Sequence, residues 1–372
     1  MEKIAIFGGT FDPPHKAHLQ IIKLALSQLK ADRFIVLPSG VPPHKNIVTK
    51  KEQRYDMAQI AFGKYAQVSD YEIKMQCKNY TVDTVKYFHN LYGEKPYFIM
   101  GADSLNDLSK WYNPKIIVAN ADIAVFDRYK FDTEKIINKA NETFDANFIH
   151  LKGQIDDISS LEIRLKLSFG IDVSDYVDKD VLKYITQNEM YSNYKEYIDK
   201  LKKSLTIQRF EHTYYTIKKG LELNKYIKED EDRVFIACLL HDCAKYIQPS
   251  EYSKYGYIPQ EYVPQEVTHA FLGRYVAKKD YGIDDEEILS AIEFHTTAKP
   301  NMSNLEKAVY MADFMEDSRG EYAEFARKKL AENGFDNAFI EILKYNYDYN
   351  LNKRNGDLCN LTKKALEYYC AT

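Results

Sequence analysis

The chain has 372 residues, of which 45% are hydrophobic and 28% charged, and its formal net charge is -4. This length predicts two globular domains, because a single hydrophobic core rarely serves so long a chain. The mild negative charge argues against binding of a nucleic-acid polymer, and no apolar run reaches the ~18 residues of a membrane span. The five scattered cysteines form no CxxC pair and the N-terminus lacks a signal-peptide pattern, which predicts a cytoplasmic protein with reduced thiols.

The first half of the chain alternates strand patterns with helical ones. Strands are predicted at KIAIFGG, DRFIVLPSG, YFIMGADS, ADIAVFDR and ANFIHLKG, and a helix at AHLQIIKLALSQLK. This alternation predicts a parallel sheet with crossover helices. Ligands of such sheets bind beyond the carboxyl ends of the strands, so we expect Gly8–His18, Pro38–Lys45 and Gly101–Asp103 to surround one crevice.

The stretch GGTFDPPHKAH lies between the first predicted strand and the first helix. A glycine turn at a helix N-terminus directs backbone N–H groups at an anion. His15 and His18 are three residues apart and can face one side, where they could donate to phosphate oxygens. Lys45, in PPHK, adds a flexible cation. A tight turn with solvent-exposed histidines is the alternative, but the whole string favours a phosphate site.

The stretch ISSLEIR has the features of a helix start. Ser159 or Ser160 can cap the helix, and Glu162 would lie in its first turn. The capped N-terminus would be another anion site, and Arg164, one turn later, could bind a second phosphate. By itself the heptapeptide fits a capped surface helix better; beside the glycine-histidine loop it predicts the other half of a triphosphate site.

Residues 1–190 resemble the bacterial nicotinate-mononucleotide adenylyltransferases, which belong to the nucleotidyltransferase superfamily with the HxGH signature. The family's GGTFDPPHxGH loop and ISSTxIR motif correspond to GGTFDPPHKAH and ISSLEIR, with Ala17 in place of glycine and Leu161 in place of threonine. NYTVDT, FIMGADS and KWY match further landmarks in the family's order. The resemblance implies a Rossmann-like α/β domain that transfers AMP from ATP, with Mg²⁺, to nicotinate mononucleotide, giving deamido-NAD and pyrophosphate.

The same resemblance implies roles for individual residues. The 5′-phosphate of nicotinate mononucleotide would attack the ATP α-phosphorus in line, and His15, His18, Lys45 and Arg164 would hold the ATP phosphates. The implied ATP-binding residues are Gly8, Gly9, Thr10, Phe11, Gly101, Asp103, Ser159, Ser160 and Arg164. The implied nicotinate-binding residues are Thr81, Trp111 and Tyr112. Trp111, the chain's one tryptophan, would stack on the pyridine ring, although a core or rim position is the commoner use of such a residue.

Helical patterns replace strand patterns from about Asn193, so we place the domains at 1–192 and 193–372. Helices are predicted at EYIDKLKKSL, RVFIACLLHDCAKYI, HAFLGRYVAKKDYG, EEILSAIEFH and LEKAVYMADFMED. A single helix histidine is usually a core residue, but four of them with two aspartates suggest convergence on a metal. The predicted ligands are His212, His241, Asp242, His269, His295 and Asp313. Histidine and carboxylate ligands without cysteine suit Fe, Mn or Zn.

This ligand set resembles that of the HD-domain metal phosphohydrolases and, more closely, of the bacterial HD-domain diadenosine tetraphosphate hydrolases. RFEHT, LLHDCAK, EVTHA and EFHTTAKPNMSNLEKAVYMADFMEDSR carry the resemblance, with Ala298 in place of the usual glycine. It implies an all-α HD domain in which two metal ions, bridged by Asp242 and most simply iron, help split diadenosine tetraphosphate into two ADP. Lys245 would bind a phosphate oxygen; Arg319 would either do the same or be an exposed helix-end arginine.

Two alternatives remain open for the second half. It could hydrolyse another nucleotide, such as GTP or dGTP, because the ligands do not determine the substrate. It could instead be a regulatory binding module that a metal stabilises. The complete ligand set together with Lys245 favours an enzyme.

Overall fold

The computed structural model describes residues 2–42, 47, 49–129, 131–260, 263–353 and 359–371. The chain divides into two compact units, Met1–Asn193 and Tyr194–Thr372. Among the described residues, none of the helices has the length and apolarity that crossing a membrane requires.

In the described part of the first unit, the strands form a single parallel sheet of six strands in the order β3-β2-β1-β4-β5-β6. The strands are β1 (Ile4–Gly9), β2 (Arg33–Pro38), β3 (Gln67–Val68), β4 (Tyr97–Gly101), β5 (Asp122–Phe126) and β6 (Ile149–Leu151). Five of the six correspond to predicted strands. The sixth, β3, has only two residues and is therefore too short to leave an apolar pattern in the sequence.

Helices cover both faces of this sheet. They are α1 (Lys16–Gln28), α2 (Lys51–Phe62), α3 (Tyr71–Lys74), α4 (Thr81–Tyr92), α5 (Ala102–Asn106), α6 (Pro114–Asn120), α7 (Thr133–Phe144), α8 (Ser160–Ser168) and α9 (Lys179–Gln187), with a 3₁₀ turn at Leu108–Lys110. Ile4 and Ile6 of β1 pack into the cluster that contains Val85 of α4, whereas the intervening Ala5 packs with Ile22 of α1. Side chains alternate between the faces of a strand, and both faces are buried, so β1 is apolar throughout.

The carboxyl ends of four strands meet at one edge. In the sheet register Gly9 pairs with Pro38 at the ends of β1 and β2, and Gly101 pairs with Phe126 at the ends of β4 and β5. The strand order reverses between β1 and β4, the point at which doubly wound sheets bind their ligands. The predicted Rossmann-like α/β domain is confirmed.

A third apolar cluster joins α8 and α9 to α2. Its buried members include Met57 of α2, Ile163 of α8 and Ile185 of α9. This packing anchors the helix that begins at ISSLEIR, so its N-terminus has a defined position relative to the sheet edge.

The described residues of the second unit form helices and turns only, which confirms the predicted all-α domain. The helices are α10 (Lys195–Ser204), α11 (Ile207–Ile227), α12 (Glu231–Leu240), α13 (Thr268–Tyr281), α14 (Glu286–Phe294), α15 (Asn304–Met315), α16 (Glu321–Lys353), which is interrupted at Gly334, and α17 (Asn360–Ala371). Three 3₁₀ segments lie at Pro249–Tyr255, Gln265–Val267 and Asp317–Arg319. Thr206, Asp230, Asp285 and Ser303 cap α11, α12, α14 and α15 with their side-chain oxygens.

The prediction of one helix through RVFIACLLHDCAKYI is wrong beyond Leu240, where α12 ends. The His241 ring lies 2.7 Å from the carbonyl oxygen of Cys238 and donates to it through Nδ1. A continued helix would need that carbonyl for the backbone N–H of Asp242. His241 and Asp242 therefore lie in the turn that follows the helix.

Candidate active sites

The loop between β1 and α1 is shaped by Gly9 and Phe11. A Cβ at Gly9 would lie 2.9 Å from the Phe11 ring, so no side chain fits there. Phe11 has a φ of 50° and its ring is fully buried against His18 and Phe62. Phe11 can therefore offer a ligand only its backbone, because its ring belongs to the core.

His15 and His18 lie side by side at the start of α1, with ring centroids 3.6 Å apart and nearly parallel planes. The backbone N–H of His15 donates to His18 Nδ1 at 3.2 Å. A neutral His18 therefore carries its proton on Nε2, where it is a donor. Burial, together with the Arg128 guanidinium, lowers the pKa of His15 to about 3. His15 is thus a neutral ring at physiological pH, and any help it gives to a phosphate comes from an N–H group.

This pKa predicts how the stability of the first unit depends on pH. Unfolded His15 takes up a proton near pH 6.5, whereas the folded residue stays neutral down to about pH 3, so stability present above pH 6.5 is lost as the pH falls. When the pH falls from about 7 to 4.5, the free energy of unfolding should therefore decrease by about 2 kcal/mol less in His15→Gln than in the wild type. Urea denaturation followed by Trp111 fluorescence reports on this unit alone, because the chain has one tryptophan. Equal losses in the two proteins would contradict the prediction.

The ISSLEIR segment meets this loop directly. Ser159 is the residue that caps α8, since its Oγ accepts the backbone N–H of Glu162 at 3.2 Å. Ser160 Oγ donates to the Pro13 carbonyl oxygen at 2.9 Å, and Arg164 Nη1 donates to the Asp12 carbonyl oxygen at 2.8 Å. The two predicted phosphate-binding segments are thereby adjacent, although about 150 residues separate them in the chain.

Asp103 lies in the first turn of α5, directly after Gly101. Its Oδ1 is 3.6 Å from Arg128 Nε, and both atoms are buried without a hydrogen-bond partner among the described residues. A Cβ at Gly101 would overlap the Asp103 carboxylate, which explains the glycine. The pair presents unsatisfied polar atoms at the sheet edge, where a ligand group could bond to them.

The three predicted nicotinate-binding residues lie at the N-terminus of α4 and directly after the 3₁₀ turn at Leu108–Lys110. Thr81 is the first residue of α4, where backbone N–H groups lack helical partners. Trp111 follows the 3₁₀ turn and is half-buried against the core cluster of α4 and α6. Tyr112 is 60% exposed, and its ring is 4.9 Å from that of Tyr80. Trp111 therefore has a packed face as well as an accessible one. Lys45, the remaining predicted phosphate ligand, lies outside the described residues.

Six side chains of the second unit converge on one centre. They are His212 of α11, His241 and Asp242 after α12, His269 of α13, His295 after α14 and Asp313 of α15. His212 Nε2 is 3.2 Å from His241 Nε2 and 3.0 Å from Asp313 Oδ1. Two groups of three have ligand atoms close enough to share an ion: His212, His241 and Asp313, and His241, Asp242 and His295.

Asp242 belongs to the second group, and its Oδ2 is also 4.0 Å from Nε2 of His212 in the first group. Its Oδ1 is 3.1 Å from His269 Nε2 and 3.6 Å from His295 Nε2, and its Oδ2 is 3.5 Å from His241 Nε2. Burial alone would raise the pKa of Asp242, but the histidines around it hold that pKa well below its usual value, so the carboxylate is ionised. Its buried Oδ1 has no hydrogen-bond partner among the described residues. A divalent cation would satisfy this oxygen.

The histidines are oriented as metal ligands are. The Nδ1 atoms of three rings donate to backbone carbonyl oxygens: His241 to Cys238, His269 to Glu266 and His295 to Ile292, at 2.7, 3.0 and 2.7 Å. Each ring therefore directs an unprotonated Nε2 at the centre. His212 Nδ1 is 3.1 Å from the fully buried Glu316. Although burial lowers the pKa of His212, Asp313 and Glu316 raise it to about 9, so these carboxylates hold a positive charge here, either a proton or a metal ion.

Three cations border the centre. Arg209 Nη1 contacts Asp242 Oδ2 at 2.9 Å, Lys245 Nζ lies 3.0 Å from His269 Nε2, and Arg319 Nη2 contacts Asp313 Oδ1 at 2.5 Å. Burial lowers the pKa of Lys245. Arg319, whose side chain is 40% exposed, contacts Asp313 from the 3₁₀ segment after α15.

A cavity of about 450 Å³ opens at this centre. The three cations line it together with aromatic and amide side chains, among them Tyr322, Asn346 and Tyr349 of α16. Its size lies within the range of small-molecule sites. Cations beside aromatic rings suit a ligand that combines phosphate groups with a flat ring system.

Comparisons with known proteins identify a family for each unit. Residues 6–166 match the cytidylyltransferase-like family, and residues 209–316 match the HD domain. The chain is 39% identical to a "Probable nicotinate-nucleotide adenylyltransferase" of Clostridium tetani over 199 residues, 51% of this chain and all of that protein. The chain belongs to the nicotinate-nucleotide adenylyltransferase family.

Relatives also match the second unit. A "Probable nicotinate-nucleotide adenylyltransferase/Ap4A hydrolase" of Mycoplasma genitalium is 29% identical over 359 residues, 92% of this chain and 97% of that protein. A crystal structure of a "predicted HD superfamily hydrolase involved in NAD metabolism" from Clostridium acetobutylicum covers 48% of this chain with 32% identity and a TM-score of 0.44. The two family matches and the Mycoplasma relative show that the chain is a fusion of an adenylyltransferase segment with an HD domain.

Two alanines stand where these families usually have glycine. Ala17 is fully buried in α1, so its methyl group lies in the core. Ala298 has a φ of 57°, in the left-handed region that glycine adopts without steric cost. Its backbone N–H bonds to the Phe294 carbonyl oxygen at 2.9 Å and so closes the turn after α14. Both substitutions lie outside the predicted metal ligands and phosphate contacts.

Several residues of the two sites were not predicted from the sequence. Arg54 is buried in α2 and donates to the carbonyl oxygens of Thr10, Ser39 and Gly40, so it ties the loop after β1 to the loop after β2. The other residues are Asp12, Arg128, Tyr191, Arg209 and Glu316. The sequence near three of these could have indicated a place at a site. Arg128 closely follows a predicted strand, and Arg209 and Glu316 each lie three residues from a predicted helical metal ligand.

Proposed function

We propose that the first unit transfers AMP from ATP to nicotinate mononucleotide, giving deamido-NAD and pyrophosphate. The contact of the α8 N-terminus with the glycine-histidine loop, through Ser160 and Arg164, carries the proposal. It brings a helix N-terminus, a guanidinium and two imidazoles to the carboxyl edge of the sheet, a combination that suits a triphosphate. Family membership supports the choice of substrates.

The reaction requires positioning and charge stabilisation. An oxygen of the nicotinate mononucleotide phosphate forms a bond to the α-phosphorus of ATP, and the bond from that phosphorus to the β-phosphate oxygen breaks, so pyrophosphate leaves. The Nε2–H of His18 would stabilise charge on the phosphates, with Arg164 and the first N–H groups of α8. Mg²⁺ that accompanies ATP would neutralise further charge. Asp103 and Arg128 would bond to the adenosine part.

The first unit should prefer nicotinate mononucleotide to the nicotinamide nucleotide. Thr81, Trp111 and Tyr112 would present donors to the substrate's carboxylate, and an amide that carries its own N–H groups would leave such donors unsatisfied. We expect kcat/KM, measured by pyrophosphate release from the full chain, to be at least ~10²-fold higher for the nicotinate substrate. Similar values for the two nucleotides would refute this pocket assignment.

We propose that the HD domain hydrolyses diadenosine tetraphosphate to two ADP. The three Nε2 atoms that face the ionised Asp242 carboxylate carry the proposal. They form, with His212 and Asp313, a site for two divalent ions, of which iron is our first choice and manganese or zinc the others. Bound ions would supply Lewis acidity that activates water and offsets phosphate charge. The phosphate oxygens that the metal ions do not bind would be bound by Arg209, Lys245 and Arg319.

A substrate panel with metal analysis tests this assignment. The full chain, with its metal content measured, is incubated with diadenosine tetraphosphate, GTP and dGTP. ADP as the sole adenine product of the dinucleotide would support symmetrical cleavage, because AMP and ATP would arise from asymmetrical cleavage. Hydrolysis of only GTP or dGTP would favour the other-nucleotide alternative, and hydrolysis of none would favour a binding module.

We further propose that the two activities divide at 1–192 and 193–372. Each segment is large enough to bury its own core. We infer that the chain works in the cytoplasm, where ATP is found. The free thiols of the chain's cysteines fit that reducing compartment.

A further inference from the structure

We propose that Tyr191 is a positioning residue for adenylyl transfer: its hydroxyl orients the Asp12 carboxylate, and Asp12 in turn holds Arg164 at the ATP phosphates. The proposal rests on the function proposed for the first unit. It assigns a role in the site to the last segment of that unit, 179 residues away in the chain from the loop it contacts.

Tyr191 makes one polar contact of particular strength. Its hydroxyl donates to Asp12 Oδ1 at 2.7 Å, a distance typical of a hydrogen bond to a charged oxygen. Burial and the nearby Asp12 carboxylate raise the pKa of Tyr191 well above its usual value, so the hydroxyl remains a donor. The backbone of Tyr191 has a φ of 60°, a conformation that costs a side-chain-bearing residue free energy. The side-chain contact helps offset that cost.

Asp12 connects this hydroxyl to the phosphate site. It is only 6% exposed and lies in the GGTFDPPH loop. Arg164 Nη1 donates to its carbonyl oxygen at 2.8 Å and lies 3.8 Å from its carboxylate Oδ2. A buried carboxylate so close to bound phosphates would repel them unless donors neutralise it. Tyr191 binds one carboxylate oxygen, which leaves the other facing the guanidinium of Arg164.

The hydroxyl, rather than the ring, carries this role. The Tyr191 ring packs against the apolar cluster of α2, α8 and α9, and its hydroxyl is 4.0 Å from Met57 Sδ. A phenylalanine ring would keep that packing. Tyr191→Phe therefore removes the bond to Asp12 and leaves most of the apolar contact in place.

Tyr184 offers a matched control in the same cluster. Its hydroxyl donates to Asp56 Oδ2 at 2.9 Å, so Tyr184→Phe also removes one tyrosine–aspartate bond from the first unit. This bond is exposed and does not involve the GGTFDPPH loop. In the full chain we expect Tyr191→Phe to lower kcat/KM for ATP about 10-fold and Tyr184→Phe to change it less than about twofold.

A double-mutant cycle separates positioning from a general loss of structure. If Tyr191 acts through Arg164, Tyr191→Phe should have less than about a threefold effect in an Arg164→Lys background. A full 10-fold effect in that background, or equal effects of the two tyrosine variants, would overturn the proposal. Trp111 fluorescence during denaturation checks that the variants are folded.

The proposed function and this inference can fail separately. Wild-type protein that makes no pyrophosphate from ATP and nicotinate mononucleotide would refute the function. Calorimetry with α,β-methylene ATP would then test the role of Tyr191. Any binding of this ATP analogue to the second unit is the same in both tyrosine variants, so a difference between them reports on the first unit. Weaker binding by Tyr191→Phe alone would support the inference, and equal binding by the two variants or no binding by the wild type would overturn it.

Discussion

Asp242→Ala is expected to abolish hydrolysis of diadenosine tetraphosphate and to remove most bound metal, while adenylyl transfer stays within about twofold of the wild type. Asp242 belongs to the candidate group that also contains His241 and His295, with one oxygen near His269 and His295 and the other near His241. Its loss would remove an ionised carboxylate that faces three of the histidine ligands, and alanine offers no donor atom in its place. Metal-dependent activation of water would be lost with the ions.

His241→Ala should behave differently from Asp242→Ala in metal content. His241 belongs to both candidate groups, yet it offers one nitrogen and cannot bridge two ions as a carboxylate can. We expect this variant to retain one of the two ions and still lose hydrolysis. Elemental analysis of the purified chains measures both outcomes.

A control for folding is essential, because metal ligation joins several helices. Asp285→Ala makes the same substitution in the same unit, at the cap of α14 and away from the centre. Because Asp285 also pairs with Arg233, the substitution should cost about 1–2 kcal/mol of stability, and it should leave both activities and the metals in place. If a well-folded Asp242→Ala protein lost adenylyl transfer as well, the two sites would be coupled and the picture of two independent catalysts would be wrong.

His18→Ala is expected to lower kcat for adenylyl transfer by about 10²–10³-fold while binding of ATP changes little. The contact from the His15 backbone places the His18 proton on Nε2, so the ring has a donor ready for charge that develops on the leaving phosphate. Such a donor acts mainly in the transition state, which affects kcat rather than ground-state binding.

The matched control for His18 is His89→Ala. His89 lies on α4 of the same unit and bonds to Asn120 through Nδ1. It is half-buried in the last turn of α4, at the opposite end of that helix from Thr81, so its loss should leave adenylyl transfer near the wild-type value. Near-normal turnover by His18→Ala, measured by pyrophosphate release, would show that the ring serves only to pack against His15 and Phe11.

Local patterns in the sequence were sufficient to predict both folds, and together with the family resemblance they named the candidate residues of both centres. The apolar run of β1, the glycine turn after it and the capped start of α8 are each encoded within a few neighbouring residues. The histidines and aspartates of the second unit were predicted as ligands because four helix histidines occur together with two aspartates and because the set resembles that of a known family. Element identity and ligand type are properties of residue chemistry and spacing, so a single sequence reveals them.

Only the tertiary structure decided how these segments are held against one another. The bond between Asp12 and Tyr191 and the loops tied by Arg54 depend on atoms that meet from distant parts of the chain. A tyrosine after a helix or an arginine within one has no local feature that distinguishes it from a surface residue. Its role arises because burial leaves a strong donor with one set of oxygens in reach, and folding alone determines which oxygens those are.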